Sequence, residues 1–179
     1  MGSRKWLGLV ASLVLISACY GAMTPRAEYQ RGWAYWHLAT THNHGEKQYM
    51  QKAVYWFRKA AAQGYAPAES ELGMLYIENL PGGVTKNPQK ATYWMKKAAE
   101  QGSVVDQASL GEMYRGGSGG GIKNYVQAYK WSMIAAAGWG SGYKNLPTID
   151  VRKDALLMTP AQIARAQSMA AAWEKAHGH

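Results

Sequence analysis

The sequence predicts an all-α fold, an α-solenoid of about three helical hairpins followed by a C-terminal capping helix. The main observation is a segment that occurs three times, at 53–64, 91–102 and 128–138. The first two copies have a tryptophan, an alanine pair and a terminal glycine at matching places, and the third copy is looser. A second shared segment, with Leu-Gly and a tyrosine, occurs at 68–76 and again at 107–114. A fixed period of this kind is typical of repeat arrays.

The spacing of the tryptophans sets the size of the repeating unit. Trp56 and Trp94 are 38 residues apart, and Trp94 and Trp131 are 37 residues apart. Two helices of roughly a dozen residues and two short connections fill such a period, at about 1.5 Å of rise per residue. The predicted unit is therefore a helical hairpin.

Glycines occur at two kinds of place in the unit. Gly64 and Gly102 follow the repeated tryptophan helix, where we expect a left-handed residue to end it. Gly73 and Gly111 lie inside the other helix, where glycine lowers helix propensity. We expect a neighbouring backbone or indole to pack against the bare Cα there, so that small residues and tryptophans fit each other.

These motifs resemble the Sel1-like repeat family of TPR-like helical repeats. Its units read approximately Leu-Gly-x-x-Tyr, a glycine-rich loop, then Ala-x-x-Trp-x-x-x-Ala-Ala-x-x-Gly. One unbroken run matches this pattern, with Leu72, Gly73, Tyr76, Gly82, Gly83, Ala91, Trp94, Ala98, Ala99 and Gly102. The resemblance implies a scaffold for protein partners, without a reaction common to its members.

The predicted organisation is a signal segment at 1–18, a tether at 19–26 and a repeat domain at 27–179. Within that domain we place three repeats, at about 27–65, 66–103 and 104–140. A C-terminal connection and the cap helix occupy 141–179. The first unit lacks Leu-Gly, but Gly32 can take the place of the mid-helix glycine. Terminal repeats are commonly atypical because they cap the stack.

Three later helices have recognisable starts. Asn87 precedes a proline at a first-turn position, and Asn124 takes the same place in the next unit. Thr159 precedes another proline and predicts a last helix that runs to about Ala176. We expect that helix to cover the final hairpin, with Ile163, Ala166, Gln167, Ala170 and Trp173 on one side. The preceding stretch, 141–151, is predicted to be an extended connection.

The first residues carry a targeting signal. Arg4 and Lys5 precede an apolar run at 6–16 that is too short to span a bilayer comfortably, and a small-residue pair then precedes Cys19, the only cysteine. The run resembles the bacterial lipoprotein signal, the alternatives being an ordinary secretory signal or a buried apolar helix. The resemblance implies a lipid on Cys19 and a periplasm-facing domain. Because Tyr20 is not aspartate, it also implies the outer membrane.

The formal net charge is +9, and it falls to +7 if Arg4 and Lys5 are removed with the signal. Basic residues are scattered singly or in pairs, and no run of five occurs. Such a charge attracts nucleic acid, anionic lipid and acidic proteins alike. Outside the cytoplasm we expect an acidic protein or an anionic membrane surface and not nucleic acid. The alternative is a merely solvated set of helix faces.

No motif predicts a reaction, so we expect no catalytic residues, metal or cofactor. His37, His42 and His44 raise the idea of a metal site, but their spacing does not match a structural zinc pattern. The glycine-rich stretch at 116–121 lacks the Lys-Ser/Thr of a phosphate-binding loop. The acidic residues show no paired geometry that the sequence can establish. A cell-wall-acting enzyme is the alternative from another functional class.

The predicted function is that of an adaptor. In stacked hairpins the first helices line a concave wall that is open to partners. The side chains there that packing does not require are Trp33, Trp36, His37, Glu71, Met74, Glu78, Gln107, Glu112 and Arg115. Aromatic and arginine residues are frequent interface anchors, although core packing is the alternative for each aromatic. Sel1-like lipoproteins of this size also resemble immunity proteins against type VI phospholipase effectors, which is a second possible role.

Overall fold

The computed structural model describes residues 23–41, 45–77, 79–80, 85–117, 123–139 and 151–178. Within these ranges the chain forms eight helices: α1 (Pro25–Thr41), α2 (Glu46–Ala62), α3 (Ala66–Leu75), α4 (Pro88–Glu100), α5 (Val104–Gly116), α6 (Tyr125–Trp139), α7 (Val151–Ala155) and α8 (Pro160–His177). The predicted signal with Cys19, as well as His42, His44, Glu78 and the stretch 140–150, lies outside the described residues.

Each helix from α1 to α7 packs mainly on its neighbours along the chain. The three hairpins are α1 with α2, α3 with α4, and α5 with α6, and each hairpin packs on the next through consecutive helices. This nearest-neighbour packing is the defining feature of a solenoid and confirms the predicted fold class. No helix in the described part of the chain is long and apolar enough to cross a membrane.

Local signals define the helix ends as predicted. The Asn87 side chain accepts a hydrogen bond from the Lys90 amide at 2.8 Å, and Thr159 forms a capping box with Gln162. Gly64 and Gly102 adopt φ angles of 76° and 93°, which satisfy the left-handed position after α2 and α4.

Glycines inside the first helices allow close approach, but the indoles are not their partners. A Cβ on Gly32 would lie 2.6 Å from the Phe57 ring, and a Cβ on Gly73 would lie 3.2 Å from the Met95 backbone nitrogen. The residue opposite each glycine is the one that directly follows a repeated tryptophan. Phe57 lies opposite Gly32, Met95 opposite Gly73 and Ser132 opposite Gly111. The prediction of a backbone neighbour is therefore confirmed in part, whereas the pairing of glycine with indole is wrong.

The last helix covers the last hairpin. α8 packs on α6, and the rings of Trp131 and Trp173 meet edge to face with centroids 6.1 Å apart. Ala166 and Ala170 are buried in the same contact, but Gln167 is exposed, so its predicted place on the packing side is wrong. The short helix α7, which also packs on α6, was not predicted.

Candidate partner-binding surface

The residue after each mid-helix glycine is partly exposed at the side of its helix. Because the glycines face the second helices, the next residues, Trp33, Met74 and Glu112, turn outward by about 100°. Their exposed fractions are 39% for Trp33, 56% for Met74 and 39% for the Glu112 side chain. We call the face of α1, α3 and α5 that carries these residues the first-helix surface. Its character changes from aromatic to acidic along the array.

The aromatic end belongs to the first unit. The Trp33 ring contacts those of Trp36, Phe57 and Tyr29 with centroids 6.1, 5.9 and 6.4 Å apart, all close to edge-to-face. Phe57 is fully buried and anchors the cluster, while Trp36 is half-buried and His37 is exposed. Aromatic groups fixed in this way offer apolar area with little entropy left to lose on binding.

A groove of about 260 Å³ lies next to this cluster. It runs between the first turns of α3 and α5 and the side of α1, and its lining comprises Tyr29, Ala66, Pro67, Ser70, Glu71, Ser103, Val105 and Asp106. Val105, at 62% exposed, forms an apolar rim. Tyr29, Val105 and Asp106 were not predicted as surface residues. Tyr29 precedes Trp33 by four positions, so helical periodicity could have placed it on the same face.

The groove is acidic, and one of its carboxylates has no partner among the described residues. Burial raises the pKa of the half-buried Glu71, and the Asp106 carboxylate raises it further. Asp106 accepts a hydrogen bond from the Ser70 hydroxyl at 2.6 Å. Among the described residues, Glu71 forms neither an ion pair nor a hydrogen bond. The groove therefore favours a cation.

Two residues predicted for this surface instead have structural roles. Gln107 is only 2% exposed, and its side-chain amide donates to the Ala99 carbonyl at 3.2 Å. The Arg115 guanidinium binds both oxygens of the fully buried Asp154, at 2.6 and 2.8 Å, and also contacts Glu112. Asp154 holds the pKa of Arg115 above its usual range. Gln107 and Arg115 are thus engaged inside the fold.

Buried glutamates cross-link the helices of the first two hairpins. Glu69 of α3 lies 3.5 Å from the Lys97 ammonium and accepts from the Gln101 amide at 2.6 Å. Burial raises the pKa of Glu69, and the Lys97 and Gln101 groups oppose that rise. The first unit repeats the arrangement at the same two distances with Glu28, Lys59 and Gln63. These carboxylates hold neighbouring helices together.

The described ranges contain no group of three or more histidine, cysteine or acidic side chains that could hold a metal ion. His37 is described as an exposed residue of α1, and His177 of α8 stacks on Trp173 with ring centroids 4.0 Å apart.

Comparison with known proteins identifies the repeat. Residues 25–65, 66–103 and 105–138 each match the Sel1 repeat. This chain belongs to the Sel1 repeat family. Sel1 repeat proteins generally mediate protein–protein interaction, and their fold is typically a non-enzymatic scaffold. No curated protein matches this chain significantly.

Two solved structures of Sel1 repeat proteins are similar to this chain. One is c5321, a protective antigen of uropathogenic Escherichia coli strains with an SLR fold, at 34% identity and a TM-score of 0.66 over 89% of this chain. The other is a Sel1 repeat protein from Oxalobacter formigenes, at 30% identity and a TM-score of 0.55 over 65% of this chain. The matches cover 31% and 44% of those two chains, so this chain spans less than half of either relative.

Proposed function

We propose that this protein is a lipid-anchored, periplasm-facing adaptor that binds a partner protein through its first-helix surface. The observation that carries the proposal is the position of Glu71, a half-buried carboxylate without a cationic partner among the described residues, in a groove that Tyr29 and the apolar rim residue Val105 also line. A buried charge is costly unless it is paired, and contiguous exposed apolar groups mark interaction sites. A bound partner would relieve both costs.

The chemistry of the groove favours a partner segment with a basic side chain flanked by apolar ones. A lysine or arginine that entered the groove would meet the carboxylates of Glu71 and Asp106 and the ring of Tyr29. Trp33 and Met74 would cover its apolar neighbours. This proposal differs from the acidic partner expected from the net charge, because the basic residues of the chain lie mostly elsewhere.

The membrane anchor rests on the sequence of the first nineteen residues, with acylation at Cys19. Cells fed an alkyne-labelled fatty acid should label the protein, and Cys19→Ser should abolish both the label and sedimentation with the outer membrane. An unlabelled wild-type chain would contradict the anchor. This result would not bear on the binding surface.

The surface is tested by photo-crosslinking in cells. A photoreactive residue at Met74 is compared with one at Leu157, which has a similar exposure, 58% against 56%, but lies after α7. We expect position 74 to capture a protein and position 157 not to capture it. Glu71→Lys should reduce that crosslink at least tenfold, since it reverses the charge of the groove.

Equal crosslinking at both positions, or a crosslink that survives Glu71→Lys, would contradict the proposed surface. The captured protein also separates the two roles considered for the chain. A secreted phospholipase would support the immunity role, and a resident envelope protein would support a general adaptor.

A further inference from the structure

The second helices carry an exposed stripe that repeats from one unit to the next. In α2 the stripe is Lys52, Tyr55 and Lys59, and 38 residues later α4 has Lys90, Tyr93 and Lys97 at the same places. The spacing i, i+3, i+7 puts the three side chains of each set on one face of its helix. Tyr55 and Tyr93 are both 54% exposed, so packing does not account for a tyrosine at either position.

The lysines of the stripe lie over aromatic rings. Lys59 lies 5.8 Å from the ring centroid of Tyr55 and 5.1 Å from that of Trp56. Lys97 repeats this contact over Tyr93 and Trp94, at 5.6 and 5.3 Å. The stems of these lysines cover apolar ring surface, while their ammonium groups lie 3.5 Å from the carboxylates of Glu28 and Glu69. The stripe is thus an amphipathic band of tyrosine, tryptophan and lysine.

Charge is divided between the two rows of helices. The second helices α2, α4 and α6 sum to +6, and the first helices α1, α3 and α5 sum to −2. Lys59 and Lys97 of the second helices pair with Glu28 and Glu69 of the first helices. When these two pairs are left out of the sums, the net charge is +4 on the second helices and 0 on the first. Among these six helices the excess positive charge therefore lies on the row that carries the exposed tyrosines, opposite in character to the acidic groove.

We propose that this lysine–tyrosine stripe docks on an anionic phospholipid surface. Tyrosine and tryptophan favour the headgroup region of a bilayer, and basic clusters are attracted to anionic leaflets. The proposal rests on the lipid anchor of the proposed function. Six residue steps join Cys19 to Pro25, so the first residue of α1 would lie within about 20 Å of the anchoring lipid. The stripe residue Lys59 is close to this end of α1, since it pairs with Glu28 at 3.5 Å. The first-helix surface would then stay free for a protein.

The test uses the chain from residue 19 with Cys19→Ser, so that acylation plays no part. Its partitioning is measured by co-sedimentation with vesicles of phosphatidylcholine alone and of phosphatidylcholine mixed with phosphatidylglycerol. We expect binding to the mixed vesicles only. Lys52→Gln with Lys90→Gln should weaken that binding at least tenfold, because each lysine near the surface contributes to the attraction.

The matched control is Arg165→Gln with Lys175→Gln, which removes the same charge from exposed positions of α8. It should change the partitioning less than threefold. Tyr55→Ser with Tyr93→Ser should remove the binding that persists in high salt, since salt screens only the electrostatic part. Circular dichroism shows whether each variant retains its helices.

Three outcomes would overturn the proposal: no binding of the parent chain to mixed vesicles, equal binding to neutral vesicles, or equal losses in the stripe and control variants. The last outcome would indicate attraction through net charge alone. Because the chain cannot be acylated, none of these results is affected by failure of the anchor, which fatty-acid labelling measures separately.

Discussion

Gly32 lies so close to Phe57 that a Cβ on the glycine would be 2.6 Å from two carbons of the ring. Phe57 is fully buried and cannot move far in a close-packed interior. We therefore expect Gly32→Ala to lower the free energy of unfolding by about 1–3 kcal/mol. This loss is expected despite a gain of about 1 kcal/mol in helix propensity. Urea unfolding followed by circular dichroism measures the change.

Phe57→Leu in the Gly32→Ala background should restore part of the lost stability, because leucine lacks the Cε1 carbon that clashes. Gly64→Ala is the matched control: its Cβ would meet open space, but its φ of 76° is unfavourable for alanine by about 1–2 kcal/mol. Phe57→Leu should not rescue that variant. A Gly32→Ala protein as stable as the parent would contradict this close packing.

The Asp154 carboxylate holds α7 on the solenoid through Arg115. Both carboxylate oxygens accept from the guanidinium, and Asp154 is fully buried. Removal of one partner of a buried pair typically costs about 3–5 kcal/mol. Asp154→Ala should therefore lower stability by about 3 kcal/mol and speed amide exchange in α7. Glu112→Gln, which alters a more exposed partner of the same arginine, should cost less than about 1 kcal/mol. Equal losses would contradict this difference.

Local and periodic features of the fold could be predicted, but this buried pair could not. Caps such as Asn87 and Thr159 act within three residues of themselves, so their sequence neighbours are enough to identify them. Arg115 and Asp154 are 39 positions apart in the sequence. Asp154 follows a stretch without the repeat period, so its position cannot be aligned with the repeats. No sequence pattern indicated that this arginine faces inward.

The candidate surface was predictable where the repeat defines the register. Met74 follows a packing glycine, and that position turns outward in each unit. Gln107 was placed on the same surface although it is 38 residues after Glu69, which is buried in the preceding unit. The two aligned positions are both buried in the structure, but a glutamate at the first of them gave no sign of burial in the sequence. The groove beside Glu71 depends on three helices, and a single-helix pattern could not reveal it.

The third hairpin has uncharged residues at the two positions where the second hairpin has an ion pair with a buried glutamate. Gln107 takes the place of Glu69, and Ile134 takes the place of Lys97, so the ion pair is replaced by an uncharged pair. We expect Lys97→Ile alone to lower stability by about 1–3 kcal/mol, because it leaves a buried carboxylate without its cation. The double variant with Glu69→Gln should recover most of that loss. Thermal unfolding of the two variants, with Lys96→Ile as the exposed control, measures the coupling.

Lys96→Ile removes a cation whose only described ion pair joins side chains that are both about half exposed, so it should change stability by less than about 1 kcal/mol. Equal losses in the single and double variants would contradict the coupling between Glu69 and Lys97. A double variant more stable than the parent would agree with it, since uncharged replacements of buried ion pairs can be stabilising.

Glu71 should reduce stability at neutral pH. Its pKa in the folded protein is raised above the ordinary value of 4.5 by burial and by Asp106. The folded state therefore holds the proton more tightly than the unfolded state, and stability falls as the pH rises from about 4.5 through the folded pKa. Glu71→Gln removes this dependence. The variant should melt at a higher temperature than the parent at pH 7, and the difference should shrink as the pH falls to about 4.

The same variant also tests the link between stability and binding. Glu69 has a raised pKa as well, but it is present in both proteins, so its contribution cancels in the comparison. Glu71→Gln should weaken the crosslink from position 74 while it raises the melting temperature, because a carboxylate kept at a cost to folding is useful only when a cation pairs with it. A variant that is less stable at pH 7 would show that Glu71 already has a partner within the chain. It would remove the basis for a basic segment in the groove.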